Sequence, residues 1–199
     1  MVVHRVRWSI LKSQVERFFA PSVAGHVELR ATCYRKNTND DEGRAWITLD
    51  KEEVWSSDTL SHWSASWQLA RDIREANGCT DLNDPGHLAS FREAGRRADE
   101  ILHRQGSCTL DEFYEALKEY RSFTLVEALE AKHVHIRGLA MLDRRLGKRR
   151  LKTLELKTDE HEFVRRMYDF RCECEGLGPG PARNEQKPIT PAPAKRRMK

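Results

Sequence analysis

The chain has 199 residues, 39% hydrophobic and 33% charged, with a formal net charge of +4. That length accommodates one domain with a real core and does not presume a second. No apolar run approaches the roughly 20 residues that cross a bilayer, and the basic N-terminus is not followed by the apolar segment of a secretory leader.

The five cysteines, Cys33, Cys79, Cys108, Cys172 and Cys174, are odd in number and scattered. They read as reduced thiols of a cytoplasmic protein. The positive charge is concentrated at the end of the chain. Residues 176–199 carry six cations and one acid, a net of +5, so residues 1–175 net −1.

In chain order, Trp8, Leu11, Val15, Phe18 and Phe19 recur at helical spacing, and Ala20-Pro21 ends that helix. From Val27 the apolar residues fall on odd positions (Val27, Leu29, Ala31, Cys33), the period of a half-buried strand. A polar loop over 36–43 leads to a second alternating run with Ala45, Ile47 and Leu49 on one face, which predicts an antiparallel hairpin. Glu53-Val54-Trp55 adds a short third strand after a turn at Asp50-Lys51.

The remainder reads as helical. A helix over 61–76 carries Trp63, Trp67, Ala70 and Ile73 on one stripe. Asp84-Pro85 opens a helix to about Arg104, with Leu88, Phe91, Ala94 and Ala98 inward. Thr109-x-x-Glu112 and Thr124-x-x-Glu127 are capping boxes, each starting a helix. The second of these helices is expected to reach Arg145 and end at Gly147. A last helix over 159–174 places Phe163, Met167 and Phe170 on one face. The predicted fold is α+β: an N-terminal helix, a small antiparallel sheet of two or three strands, and a mainly helical C-terminal two-thirds. One domain over 1–175 precedes a Pro/Gly-rich basic tail over 176–199, expected to be disordered.

The leading candidate site is Arg144, Arg145, Lys148, Arg149, Arg150 and Lys152, six cations within nine residues. They are expected at a helix C-terminus, where cations complement the helix dipole. Six exceed what capping needs, so they require anions, either carboxylates of this chain or an external polyanion such as nucleic acid. A second candidate is the outer sheet face, with Glu28, Arg30, Tyr34, Trp46 and Asp50; cross-strand pairing accounts equally for those residue types. Asp143 with Glu155-Leu156-Lys157 has the residue types of a metal-dependent nuclease, and Leu154 and Leu156 alternate as a short strand would, but Asp143 reads as helical.

His133 and His135, read on one helix, point about 200° apart, so they are not expected to share a metal. The eight histidines form no ligand set by spacing, and no metal, cofactor or catalytic residue is predicted. Trp46, Trp55, Trp63 and Trp67 are expected to form a core between the sheet and the 61–76 helix. Their exposure would instead mark a partner interface.

Four phrases carry a family resemblance: Trp8-Ser9-Ile10-Leu11-Lys12 with Glu16; residues 25–35, GHVELRATCYR; residues 44–50, RAWITLD; and residues 142–151, LDRRLGKRRL. In that order, over about residues 8–171, they resemble a family of small uncharacterised bacterial cytoplasmic proteins. The resemblance implies a bacterial, cytoplasmic setting and no catalytic residues, and it leaves out the tail. The functional expectation is a non-enzymatic protein that binds nucleic acid or another polyanion through residues 144–152. The alternatives are a protein-interaction module, such as an immunity or adaptor protein, and an enzyme with a polar site on the sheet face.

Overall fold

Alternation in the first third of the chain builds a three-stranded antiparallel sheet in the order β1-β2-β3, and 3.6-residue periodicity in the rest builds helices. The computed structural model describes residues 7–34, 42–79 and 87–178. Most of the predicted 36–43 loop, the Asp84-Pro85 helix start and the tail from residue 179 lie outside the described residues. The elements are α1 (Trp8–Glu16), β1 (Val27–Cys33), β2 (Gly43–Leu49), β3 (Glu52–Asp58), α2 (Thr59–Ala76), α3 (Leu88–Arg104), α4 (Leu110–Ser122), α5 (Leu125–Glu130), α6 (Val134–Leu142), α7 (Lys148–Thr153) and α8 (Glu162–Cys174). The α+β reading holds. Among the described residues no helix is long and apolar enough to cross a membrane.

The register of the hairpin follows its hydrophobic pattern. Val27 pairs with Leu49, Leu29 with Ile47 and Ala31 with Ala45, which puts the odd-numbered apolar residues on the core face. β2 and β3 join through Asp50 and Lys51, both at positive φ (48° and 71°), the backbone of a tight hairpin turn whose twist suits the flanking strands. A register shift between Ile47 and Thr48 then turns Trp55 inward opposite Ile47. Trp55 stacks on Phe113 of α4, ring centroids 5.1 Å apart.

Hydrogen bonds sew the β3–α2 junction to the α3–α4 connection. Ser57 Oγ donates to Cys108 O (2.5 Å), and Leu110 N donates to Thr59 Oγ1 (3.0 Å). Trp55 Nε1 donates to Gly106 O (2.8 Å). The starts of α2 and α4 and the end of α3 are thereby brought to one place.

Both capping boxes are present, at Thr109/Glu112 and Thr124/Glu127. The helix predicted from Thr124 to Arg145 is, however, two helices. Ala131 has ψ 143° and His133 is the extended N-cap of α6. The break is held by a side chain: Arg137 Nη1 donates to the freed carbonyls of Ala131 (2.7 Å) and Lys132 (2.9 Å), while Glu160 pairs with Arg137 Nη2 at 2.8 Å. Gly147 does not end a helix. It is the N-cap of the six-residue α7, so Lys148 and Arg149 open a helix rather than close the one the periodicity suggested, while Arg150 and Lys152 fall in the last turn of α7.

The tryptophan expectation also fails in part. Trp55 is buried, but Trp63 and Trp67 on α2 are 47% and 61% exposed. The buried stripe of α2 is Thr59, His62, Ala70 and Arg74. Of the predicted inward residues of α3, Ala94 and Ala98 are buried and Leu88 is exposed. The Arg74 guanidinium lies over the rings of Phe91 (4.5 Å) and Trp67 (5.4 Å), so cation–π packing, not an all-apolar seam, joins these two helices.

Candidate functional site

The six predicted cations separate into two kinds. Arg145 is structural. Its Nε lies 3.1 and 3.0 Å from the two carboxylate oxygens of Asp143, and its Nη2 is 2.6 Å from Oδ2. Its Nη1 donates to Phe123 O (2.8 Å), and the guanidinium lies 4.5 Å over the Phe18 ring. Asp143 is fully buried and also accepts from Tyr120 Oη (2.6 Å). Burial, with the Asp143 charge beside it, raises the Tyr120 phenol. Asp143 is therefore committed to the fold, and residues 154–157 form no strand, so the nuclease-like pattern has no structural counterpart.

The other five cations are exposed. Lys148 Nζ donates to Glu175 O (2.5 Å). Among the described residues Arg144, Arg149, Arg150 and Lys152 have no carboxylate partner. Arg144 is anchored by its backbone, whose N–H donates to Phe18 O (2.7 Å). Its side chain lines an open cleft of about 410 Å³ with Gln14, Arg17, Phe18, Arg121 and Ser122. Three arginines from three segments, the C-cap of α1, the last turn of α4 and the loop after α6, thus share a cleft with no carboxylate in its lining. Arg17 and Arg121 are too far from the 144–152 run in sequence for a local charge count to find them.

The sheet-face candidates do not converge. Glu28 Oε2 accepts from Arg30 Nε (2.8 Å) and Nη2 (2.5 Å), and this pairing holds the Glu28 carboxyl below its usual range. Tyr34 donates to Asp58, Trp46 lies under the Arg44 guanidinium at 5.2 Å, and Asp50 pairs with His26 (2.6 Å) at the turn. Each is taken up by a neighbour.

A third group emerges that spacing did not reveal. His62 in the first turn of α2, His103 in the last turn of α3 and Glu112 in the first turn of α4 place one donor atom each within 4.8 Å of one another. His62 is buried; its Nδ1 is 3.0 Å from Ser107 Oγ and its ring stacks on that of His103, 5.6 Å between centroids. Burial lowers the His62 pKa. His103 Nε2 is 3.0 Å from Glu112 Oε1, and this hydrogen bond raises the His103 pKa. The other oxygen, Oε2, accepts from Thr109 N (2.7 Å). Burial opposes ionisation of Glu112, but the bonds from His103 and Thr109 outweigh it and hold the carboxyl at about 2.

Two further histidines adjoin this trio. His133 and His135 have ring centroids 4.8 Å apart and Nδ1 atoms 3.1 Å apart, because His133 is an extended N-cap and not part of the helix. The expectation that the two rings diverge is overturned by that break. His135 is buried among Trp55, Phe113 and Phe163, and among the described residues its Nε2 has no hydrogen-bond partner. Burial pushes its pKa well below 6.5 and brings that of His133 to about 4. His161 closes the group as the N-cap of α8, its Nδ1 accepting from Phe163 N (3.0 Å). A Cβ at Gly106 would lie 3.1 Å from the His161 ring, a contact tight enough that the ring would have to give, and the φ of +76° there favours glycine. A cleft of about 560 Å³ opens beside the group, with His103 and His133 in its wall together with Glu119 and Glu127.

The chain belongs to the SF0329 protein family, which matches residues 7–172. No curated protein and no solved structure matches it. The matched span agrees with the resemblance seen in the sequence and takes in α1 to Cys172 of α8. The arginine cleft and the histidine group both lie inside the family's extent, and the basic tail lies outside it.

Proposed function

We propose that this protein binds a polyanion, with nucleic acid the first expected ligand, through Arg17, Arg121 and Arg144 and the neighbouring cations Lys148, Arg149, Arg150 and Lys152. The observation that carries the reading is the arginine cleft, three guanidinium side chains around one open volume with no carboxylate in the lining. Guanidinium groups gathered without internal anions repel one another and favour an external one, and arginine's fork matches phosphate oxygens. Arg145 takes no part, since its charge is already met by Asp143. A bacterial cytoplasmic setting fits the family phrases, and none of the five cysteines is in a disulfide, as expected in a reducing compartment.

The test is fluorescence anisotropy with labelled single- and double-stranded DNA across a salt series. The wild-type affinity falls linearly with salt on logarithmic axes. The Arg17→Ala, Arg121→Ala, Arg144→Ala variant loses about 2 to 3 from that slope, close to 0.9 for each phosphate contact removed. An unchanged slope and affinity would overturn the proposal.

A second reading, a protein-interaction module, is favoured by the exposure of Trp63 and Trp67 on α2, since large exposed aromatics mark partner surfaces. On that reading the chain isolated from its native cell carries one stoichiometric protein and no nucleic acid. The Trp63→Ser, Trp67→Ser variant loses that protein, while the arginine variant keeps it.

A further inference from the structure

The geometry points to a divalent-metal site of the zinc class at His62, His103 and Glu112, a feature that goes beyond polyanion binding and does not depend on it. Three observations converge on it. The donor types are right, because two imidazoles and one carboxylate form a ligand set for Zn²⁺ that leaves a coordination position for water or an exogenous ligand. The spacing is right as well. Ligand atoms of a tetrahedral zinc lie roughly 3.3 Å apart, from bond lengths of about 2.0–2.2 Å, and His103 Nε2 and Glu112 Oε1 are already 3.0 Å apart. All three donor atoms already lie within 4.8 Å of one another.

The third observation is that the ligands are oriented from behind. Ser107 Oγ meets His62 Nδ1 at 3.0 Å, and Thr109 N holds Glu112 Oε2 at 2.7 Å, leaving Oε1 turned to His103. Partners of this kind fix the ring and carboxylate orientations of protein metal sites. Ser66 Oγ in turn binds Asp99 Oδ1 at 2.5 Å, and Asp99 acts electrostatically on both His62 and His103, adding negative charge around a cation. The three ligand-bearing helix ends are brought together by the Ser57–Cys108 and Thr59–Leu110 hydrogen bonds. His103 also stands in the wall of the cleft that contains His133.

The experiment uses the full chain, dialysed against a chelator and then titrated with Zn²⁺ by calorimetry and with Co²⁺ by visible absorption. The expected result is one equivalent of metal per chain, tetrahedral Co²⁺ bands, and a melting temperature that rises with Zn²⁺ concentration. Glu112→Gln keeps the capping box, because glutamine also serves at that position, and it weakens binding at least about tenfold; His103→Gln does the same. Ser107→Ala leaves every ligand in place and weakens binding by about tenfold to a hundredfold through the His62 orientation. His26→Gln, which removes an exposed histidine–carboxylate pair elsewhere, leaves the titration unchanged. No stoichiometric Zn²⁺ binding by the wild type, or wild-type binding in both Glu112→Gln and Ser107→Ala, would overturn the site. Loss of DNA binding in the arginine variant has no bearing on these readouts, so the two proposals fail separately.

Discussion

Asp143→Ala is expected to lower the unfolding free energy by about 3–5 kcal/mol, the cost of removing one partner from a buried ion pair. The carboxylate is fully buried. It is the acceptor for Tyr120 Oη at 2.6 Å and for the backbone N–H of Arg145 at 2.8 Å, besides the guanidinium of Arg145. Alanine leaves a cation and a hydroxyl without their acceptor at the junction where Phe19 bridges Asp143. For a chain of this length the melting temperature falls by roughly 10–15 °C. Arg145→Ala is also destabilising, because it strands a buried anion, and the double variant is less destabilised than the sum of the two, with a coupling of about 0.5–3 kcal/mol. Urea denaturation of the four proteins measures this. An Asp143→Ala variant within about 1 kcal/mol of wild type would show that Asp143 is not the counterion of Arg145. The sign of the coupling matters for function, because it decides which arginine of the basic run is unavailable to an external anion.

Acid is expected to destabilise the metal-free protein between about pH 6.5 and pH 4. Burial holds His135 well below 6.5 and His133 at about 4. In that window the unfolded chain binds protons that the folded chain refuses, so stability is full above 6.5 and declines as pH falls. The His133 shift alone corresponds to about 3 kcal/mol lost by pH 4, at 1.36 kcal/mol per pH unit; His135 is coupled to it through the 3.1 Å Nδ1 contact and does not simply add. His103, facing the same group, has a raised pKa and works in the opposite sense, with stability present below 6.5 and lost as pH rises through its folded value. Glu112, held at about 2 against an ordinary 4.5, keeps its full contribution down to about pH 4.5 and begins to lose it only at the bottom of the window. Urea midpoints measured in chelator from about pH 7 to pH 4 follow the acid limb. His135→Leu, which removes the buried titrating ring from its aromatic box, flattens that limb; an unchanged limb in this variant would sink the account.

Local features of the chain were legible because their causes are local. The hairpin register followed from period-2 alternation of Val27, Leu29, Ala31 with Ala45, Ile47, Leu49, and both capping boxes were readable from Thr and Glu three residues apart. The periodicity over 124–145 misled because the helix break at Ala131–His133 is stabilised by Arg137 and Glu160, one of them far along the chain. That break turns His133 beside His135 and defeats the rule that residues two apart on a helix diverge. It also moves Gly147 from the end of one helix to the start of the next. The burial of Trp63 and Trp67 was wrongly expected because a stripe on α2 says that one face packs but not which one; His62, Ala70 and Arg74 form the buried side instead.

The sequence by itself determined the element types, the strand pairing, most of the core and the existence of a concentrated basic run, since each depends on neighbours within a few residues. Tertiary structure alone decided which charges are spent inside the fold and which are left for a ligand. Arg145 is neutralised by the buried Asp143 and braced against Phe18 and Phe123, whereas Arg144, one residue earlier, joins Arg17 and Arg121 in an open cleft. The same holds for His62, His103 and Glu112, which share no motif and meet only because hydrogen bonds between the β3–α2 junction and the α3–α4 connection bring three helix ends together. Charge, coordination and desolvation depend on distance in space, and for these residues distance along the chain carries no record of it.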